Sequence, residues 1–250
     1  MPRFFVKTEQ IKDNKISIIG EDVKHIKNVL RKQKGQILEI FNQETGKTYK
    51  CEISEIKEEK IINSIIEEME YIEDKIKVDI YQGLPKADKM ELIIQKSIEN
   101  GVNAIIPVEM KRCVVKIDSK NENKKIERWQ KIAESAAKQS GRNTVPEIRK
   151  IIKVKEITRL KDSYDSIIVC YENEKHNYIK KELLRLKEQI SKEQEICIAI
   201  VIGPDGGLEE TDFEYLKQNG AEIVTLGNRI LRTETVALNL LSITMYELET

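Results

Sequence analysis

The chain has 250 residues, 40% of them apolar, and its 43 basic side chains balance 43 acidic ones. That length holds one large domain, or a small one followed by a larger one. Zero net charge excludes a wholly basic protein that coats nucleic acid indiscriminately, but leaves room for a local basic patch.

Cys51, Cys113, Cys170 and Cys197 are far apart, and His25 and His176 are the only histidines. They form no zinc or Cys-x-x-Cys pattern, so no metal site is expected. Cys197 lies in an apolar run and is expected to be a core thiol. The start, Met1 to Val6, is too short and too soon polar for a signal peptide, and no apolar run reaches membrane-span length. A soluble, cytoplasmic protein is expected.

In chain order, the first seventy residues read as short strands: Phe4-Val6, Lys15-Ile19, Gln36-Phe41, Thr48-Ile53 and Lys60-Ile65. Turns fall at Asp13-Asn14, Lys34-Gly35, Glu44-Gly46 and Lys57-Lys60. A helical segment, Glu21 to Leu30, interrupts them. This pattern predicts a small barrel. The charged stretch Glu67 to Lys75 marks a domain boundary, giving domains of 1–72 and 73–250.

Beyond the boundary the period changes. Ile76-Gln82 reads as a strand, Lys86-Glu99 as a helix closed by Asn100-Gly101, and Ala104-Val108 as the next strand, a β-α-β unit. Helix Lys124-Ser140, strand Ser166-Tyr171, helix Lys180-Ile190, strand Ile196-Ile202, helix Thr211-Asn219, strand Ile223-Leu226 and helix Thr233-Leu248 follow. The second domain is therefore α/β, with a mostly parallel sheet and helices on both faces. The last helix is apolar almost all round and is expected to be buried, in part against a second subunit.

Two glycine-rich loops follow strands near the end. Gly203-Pro204-Asp205-Gly206-Gly207 lacks the lysine of a Walker loop and the spacing of a dinucleotide fingerprint. Its glycines permit close backbone approach. Asp205 either faces a ligand or fixes the turn. The second loop, Leu226-Gly227-Asn228-Arg229-Ile230-Leu231-Arg232, leads into Thr233-Glu234-Thr235. Arg229 and Arg232 are one helical turn apart, so they can share a side and hold a carboxylate or phosphate. The plain alternative is a solvated helix start in which Glu234 pairs with an arginine. Two such loops at neighbouring strand ends make the rim of a crevice for a small organic cofactor.

These loops, in this order, resemble the ribosomal RNA small subunit methyltransferase E family. The resemblance extends to Arg3-Phe4-Phe5, His25 with Leu30-Arg31, Lys86-x-x-Lys89-Met90, and the run from Glu134 through Gln139-Ser140-x-Arg142 to Pro146. It implies an N-terminal PUA-like RNA-binding β-barrel, then a SPOUT methyltransferase domain with a C-terminal trefoil knot, in a homodimer. The implied activity is transfer of methyl from S-adenosyl-L-methionine to N3 of one uridine of 16S rRNA, in the small ribosomal subunit. Asp205 stands where the family usually has glutamate, and Glu209-Glu210 where it often has a Ser or Thr cap. The carboxylate survives the first change. Thr211 or Asp212 is expected to start the helix after the second.

On this resemblance, Glu172, Gly203, Pro204, Asp205, Gly206, Gly207, Leu226, Gly227, Asn228, Arg229, Ile230 and Leu231 hold the cofactor. Arg232 stabilises negative charge on the uracil, and Glu234 orients that arginine or accepts a proton. Arg3, Lys24, His25, Arg31, Lys86, Lys89, Arg112 and Arg142 are candidate RNA contacts. Among these, Lys86 and Lys89 share a helix face with Lys96 by spacing. Two alternatives stay open: a knotted methyltransferase acting on tRNA or a ribose hydroxyl, and an inactive RNA-binding assembly protein.

Overall fold

Alternating burial builds the first sheet. In β1 (Arg3–Val6) Phe4 and Val6 turn inward, the two-residue period of a strand with one covered face. β2 (Ile11–Lys12) and β3 (Lys15–Ile19) form a hairpin whose turn residues Asp13 and Asn14 have φ of 50° and 60°. Asn and Asp tolerate that left-handed backbone, which suits the strand twist. β4 (Ile37–Asn42), β5 (Thr48–Ile56) and β6 (Lys60–Met69) complete a six-stranded sheet in the order β1-β4-β5-β6-β3-β2. β1 and β4 are parallel, and the other pairs are antiparallel. Register shifts between β5 and β6 at Lys50/Cys51 and Ile53/Glu55 bend the ladder. The curled sheet closes on Phe4, Ile16, Ile18, Leu38, Ile40, Ile53 and Ile61.

The interrupting helix is shorter than its sequence suggests. α1 (Glu21–Lys24) widens into a π-helical turn over His25–Val29, where the Leu30 N–H bonds the His25 carbonyl at 3.0 Å. Arg31 follows in a left-handed conformation, φ 52°.

The computed structural model describes residues 3–69, 75–190 and 195–249. It divides into two units, Met1–Glu73 with Ala137–Val145 and Asp74–Ala136 with Pro146–Thr250. The expected boundary between residues 72 and 73 lies outside the described residues.

The second unit is built on a parallel sheet. Its strands are β7 (Ile76–Gly83), β8 (Ala104–Glu109), β9 (Glu147–Ile148), β10 (Ile152–Lys153), β11 (Ser166–Cys170), β12 (Ile196–Ile202) and β13 (Glu222–Val224). The order is β10-β8-β7-β12-β11-β13, with β9 also on β8. Helices α2 (Lys89–Glu99), α3 (Ser119–Ser140), α4 (Val154–Ile157), α5 (Ile179–Ile190), α6 (Glu210–Gln218) and α7 (Thr233–Glu249) accompany it. The central strand β12, Ile-Cys-Ile-Ala-Ile-Val-Ile, is buried on both faces, as a continuous β-branched run requires. One of its residues departs from expectation: Cys197 is only partly buried, with its sulfur 3.7 Å from Glu195 Oε1. α7 packs on α2, α5, β7 and β12. Its buried stripe includes Ala237, Leu240, Leu241 and Leu248, while Ile243 and Tyr246 are exposed.

Because every pairing in this sheet is parallel, the loops after β7, β11, β12 and β13 gather at one end. Ligands in open α/β sheets bind at that end.

Candidate active site

Close backbone packing shapes the first loop. Gly203 to Gly207 leave β12, and the Gly207 N–H returns to the Pro204 carbonyl at 2.9 Å. Gly207 has φ 72°, and a Cβ there would lie 2.6 Å from Glu172 Oε1. Glu172 therefore lies directly over the turn. At the end of β7, a Cβ on Gly83 would come within 2.6 Å of the Pro204 nitrogen, which is backbone and cannot swing aside. Gly83 thus lets β7 and the loop touch, a role absent from the sequence expectations.

Two further residues escaped the sequence reading. The Gln82 amide donates to Thr233 Oγ1 at 2.9 Å, and that hydroxyl donates to the Gly203 carbonyl at 2.7 Å. Gln82 is fully buried. A long polar side chain ending an apolar strand was the available signal, since buried amides need partners.

Lys89 is the electrostatic centre of the cleft. Its ammonium pairs with Asp205 and, at 3.1 Å, with Glu234 Oε2. The Asp205 carboxylate also accepts the Lys86 N–H at 2.7 Å. Burial acts to raise the Asp205 pKa, but the bonds from Lys89 and the Lys86 N–H outweigh it and hold the carboxyl below its usual range. The same Asp205 bond, then the Glu234 contact, raise the Lys89 pKa. Asp205 thus ties its loop to the approach of α2, through Lys86 and Lys89 rather than through an Asx bond within the turn.

Several expectations change here. α2 begins at Lys89, so Lys86 lies before the helix and does not share its face, while Lys96 is paired with Glu99 at 2.8 Å. Spacing failed because Ala87, with φ 51°, breaks the helical path between the two lysines. Glu234 pairs with Lys89 rather than with an arginine. α6 begins at Glu210 with Glu209 at its cap position, ahead of Thr211 and Asp212. The Glu209 carboxylate instead receives Arg112 Nε at 2.8 Å, and Arg112 Nη1 donates to the Gly206 carbonyl at 3.2 Å.

The second loop is neither helix nor strand, and it bends at Asn228 and Arg229. α7 starts only at Thr233, so Arg229 and Arg232 precede it, and helical spacing does not place them on one side. Both are exposed, and among the described residues neither has an ion pair. Gly227 has φ 114° with nothing within 4 Å of a built Cβ, so conformation rather than space requires glycine. Ile230 is 86% exposed.

The two loops enclose a cavity of about 480 Å³, lined by Gly203 to Leu208, Arg232, Thr233, Glu172 and Lys89. A smaller one of about 70 Å³, lined by Tyr171 and Leu226 to Leu231, adjoins it through shared walls at Cys170, Glu172, Ile230 and Leu231. The larger volume falls in the range of small-molecule sites. Its donor set suits an adenosine-like, zwitterionic ligand: glycine backbone, the Glu172 carboxylate for a cation, and an uncommitted arginine. Burial pushes the Cys170 thiol up to about 11, so this wall is a neutral sulfhydryl near neutral pH. All twelve residues expected to hold a cofactor, together with Arg232 and Glu234, fall in or beside these cavities.

The expected RNA contacts are spread out. Lys89 and Arg112 belong to the cleft and are already paired with carboxylates. Arg3 is neutralised by Glu39 at 2.8 Å, across the parallel register of β1 and β4. Lys24 at the end of α1, His25 at the start of the π-turn and Arg31 just beyond it are exposed, with His25 edge-on to Phe4 at 6.3 Å. Arg142 falls in the first unit by its contacts.

Known proteins share this architecture. A family model described as RNA methyltransferase domain matches residues 72–245, and one described as RNA methyltransferase PUA domain matches 18–66. Ribosomal RNA small subunit methyltransferase E of Bacillus subtilis is 38% identical, covering 100% of this chain and 98% of its own. The Neisseria gonorrhoeae enzyme of that name, solved bound to S-adenosyl methionine, superposes with TM-score 0.80 at 28% identity, covering 98% of this chain and 97% of its own. A Legionella pneumophila protein solved with the bound cofactor SAM gives 0.82 at 27% identity, covering 98% and 96%.

Proposed function

The chain belongs to the ribosomal RNA small subunit methyltransferase E family, and from that premise we propose that it methylates N3 of a uridine in 16S rRNA with S-adenosylmethionine. The observation that carries the reading is the cleft between Gly203–Gly207 and Leu226–Arg232. It has a glycine-walled cavity of about 480 Å³ with Arg232, which has no ion pair among the described residues, on its rim.

When bound, S-adenosylmethionine supplies a methyl group activated by sulfonium charge. Gly203 to Gly207 and Leu226 to Leu231 would hold it, and Glu172 would supply a carboxylate for its cationic portion. Arg232, left without an anion, stabilises the negative charge that develops on uracil as N3 loses its proton. The chemistry the cofactor would supply is transfer of that methyl to N3, with the N3 proton lost to solvent. Glu234 has the positioning role: its carboxylate is engaged by Lys89, so it anchors the start of α7 and the arginine before it. The exposed residues Lys24, His25 and Arg31, in and around the π-turn, contact RNA phosphates. The target base must leave its stack to reach the cleft.

The proposal extends to a domain division at residues 72/73, a trefoil knot in which the two loops are threaded, a cytoplasmic homodimer, and the small ribosomal subunit as substrate. The exposed Ile243 and Tyr246 of α7 suit a subunit contact. Nucleoside analysis of 16S rRNA from cells lacking the chain tests the function. Loss of 3-methyluridine, restored by the wild-type chain and not by Arg232→Ala, is expected. Undiminished 3-methyluridine would overturn the assignment.

A further inference from the structure

A cavity of about 540 Å³, comparable in size with the cofactor cleft, lies outside both glycine loops. Its wall carries five cations, Lys111, Lys116, Lys153, Lys155 and Arg159, against three carboxylates. A chain with no net charge has concentrated positive charge here. The residues come from the segment after β8, the segment from β10 into α4 and beyond, and the first turn of α6.

Its neighbourhood ties it to the cleft. The segment after β8 serves both spaces. Arg112 faces the glycine loop, bonding the Gly206 carbonyl and Glu209, and a Cβ on Gly206 would lie 3.3 Å from Arg112 Cβ. On either side of Arg112, Lys111 and Cys113 line the second cavity. A strand entering the cleft therefore has a basic trough beside it, one residue away along the wall.

The donor chemistry argues against a fixed small anion. Such a site uses backbone N–H groups or arginine forks in a set geometry. Here the Lys111 N–H is spent on Asp212 at 3.0 Å and the Lys153 N–H on Glu156 at 3.0 Å. Four of the five cations are lysines, point charges on flexible stems. Lys111 Nζ is held by Thr211 at 2.6 Å, and Lys155 lies over the Tyr215 ring at 5.9 Å. Lys116, Lys153 and Arg159 are exposed, with no ion pair among the described residues. Flexible cations lining an open trough suit the moving phosphates of a single strand.

We infer that this trough, centred on Lys116, Lys153 and Arg159, is a second RNA-backbone site, holding phosphates that flank the target nucleotide. The inference rests on the proposed RNA methyltransferase activity and adds the path the strand takes. It assigns a function to residues outside both loops and outside the β-barrel.

The test is Lys153→Glu/Arg159→Glu in the full-length protein. Affinity for a single-stranded oligouridylate is measured over a salt series, along with KM for small subunits lacking the modification and the Kd for S-adenosylmethionine. At least a tenfold loss of oligouridylate affinity is expected, with the salt slope reduced by about 1.4 for two lost phosphate contacts. KM for subunits should rise, while the cofactor Kd stays at the wild-type value and shows that the variant is folded. The neutral Lys153→Gln/Arg159→Gln should lie between. Wild-type affinity and slope in both variants would overturn the trough. Failure of the wild type itself to bind RNA or transfer methyl would instead overturn the functional reading beneath it. If inorganic phosphate competes for the trough and oligouridylate does not, the site is for a small anion and the inference fails.

Discussion

Thr233 accepts a hydrogen bond from the Gln82 amide at 2.9 Å across 151 residues of sequence, and passes its own proton to the Gly203 carbonyl. One hydroxyl thus joins the end of β7, the first glycine loop and the start of α7. Thr233→Val keeps the shape but removes one of the two hydrogen bonds of the buried Gln82 amide, whose other bond goes to the Gly83 carbonyl at 2.9 Å, and the donor to the part-buried Gly203 carbonyl. A loss of about 1–3 kcal/mol in stability is expected, together with weaker cofactor binding. Thr233→Ser should restore both. Denaturant unfolding and calorimetric titration would show it; a Val variant as stable as wild type contradicts the bridge.

Arg232 and Arg229 lie in one loop without ion pairs among the described residues, yet only Arg232 adjoins the start of α7 and the larger cavity. Arg232→Ala should lower kcat by about 10²–10³ at saturating cofactor, the cost of losing one preorganised donor to a developing anion. The cofactor Kd should change little. A kcat near wild type would remove the arginine from the chemistry.

Gly83→Ala places a methyl group 2.6 Å from the Pro204 nitrogen. Backbone must move to admit it, so overpacking of about 1–3 kcal/mol is expected, and cofactor affinity should fall with the displaced loop. Gly227→Ala meets no atom within 4 Å, and its cost is conformational alone. Equal cofactor affinity for wild type and Gly83→Ala would show that β7 and the loop do not need this contact.

The Lys89 pairing makes a prediction about pH. Asp205 has a depressed pKa, so its contribution is present above its ordinary 3.8 and lost as pH falls through the lower folded value. Lys89 has a raised pKa, so its contribution is complete below 10.5 and lost as pH rises through the higher folded value. The stability difference between wild type and Lys89→Met should therefore be level near neutral pH and shrink at both extremes. Chemical denaturation across pH checks this. A difference that varies between pH 6 and 8 would implicate another group.

Much of this was legible in the chain. The apolar alternation of Phe4/Val6 and Ile16/Ile18 and the unbroken run Ile196–Ile202 announce a half-covered sheet and a buried parallel strand. The glycines announce the loops that form the cleft. Partnership was not legible. Lys89, Asp205 and Glu234 are more than a hundred residues apart or on different elements, and nothing local says that one ammonium serves both carboxylates. Helical spacing misplaced Lys86 because Ala87 takes a left-handed backbone, and it misplaced Arg229 and Arg232 because α7 starts after them. Gln82 and Gly83 looked like an unremarkable strand end until the fold set Thr233 and Pro204 against them.

The most direct measurement is transfer of labelled methyl from S-adenosylmethionine to small ribosomal subunits lacking this modification, with the labelled nucleoside identified and mapped. The account predicts 3-methyluridine at a single 16S position with the wild-type chain, and little label with Arg232→Ala. Label in any other nucleoside, or none from folded protein with bound cofactor, would contradict it.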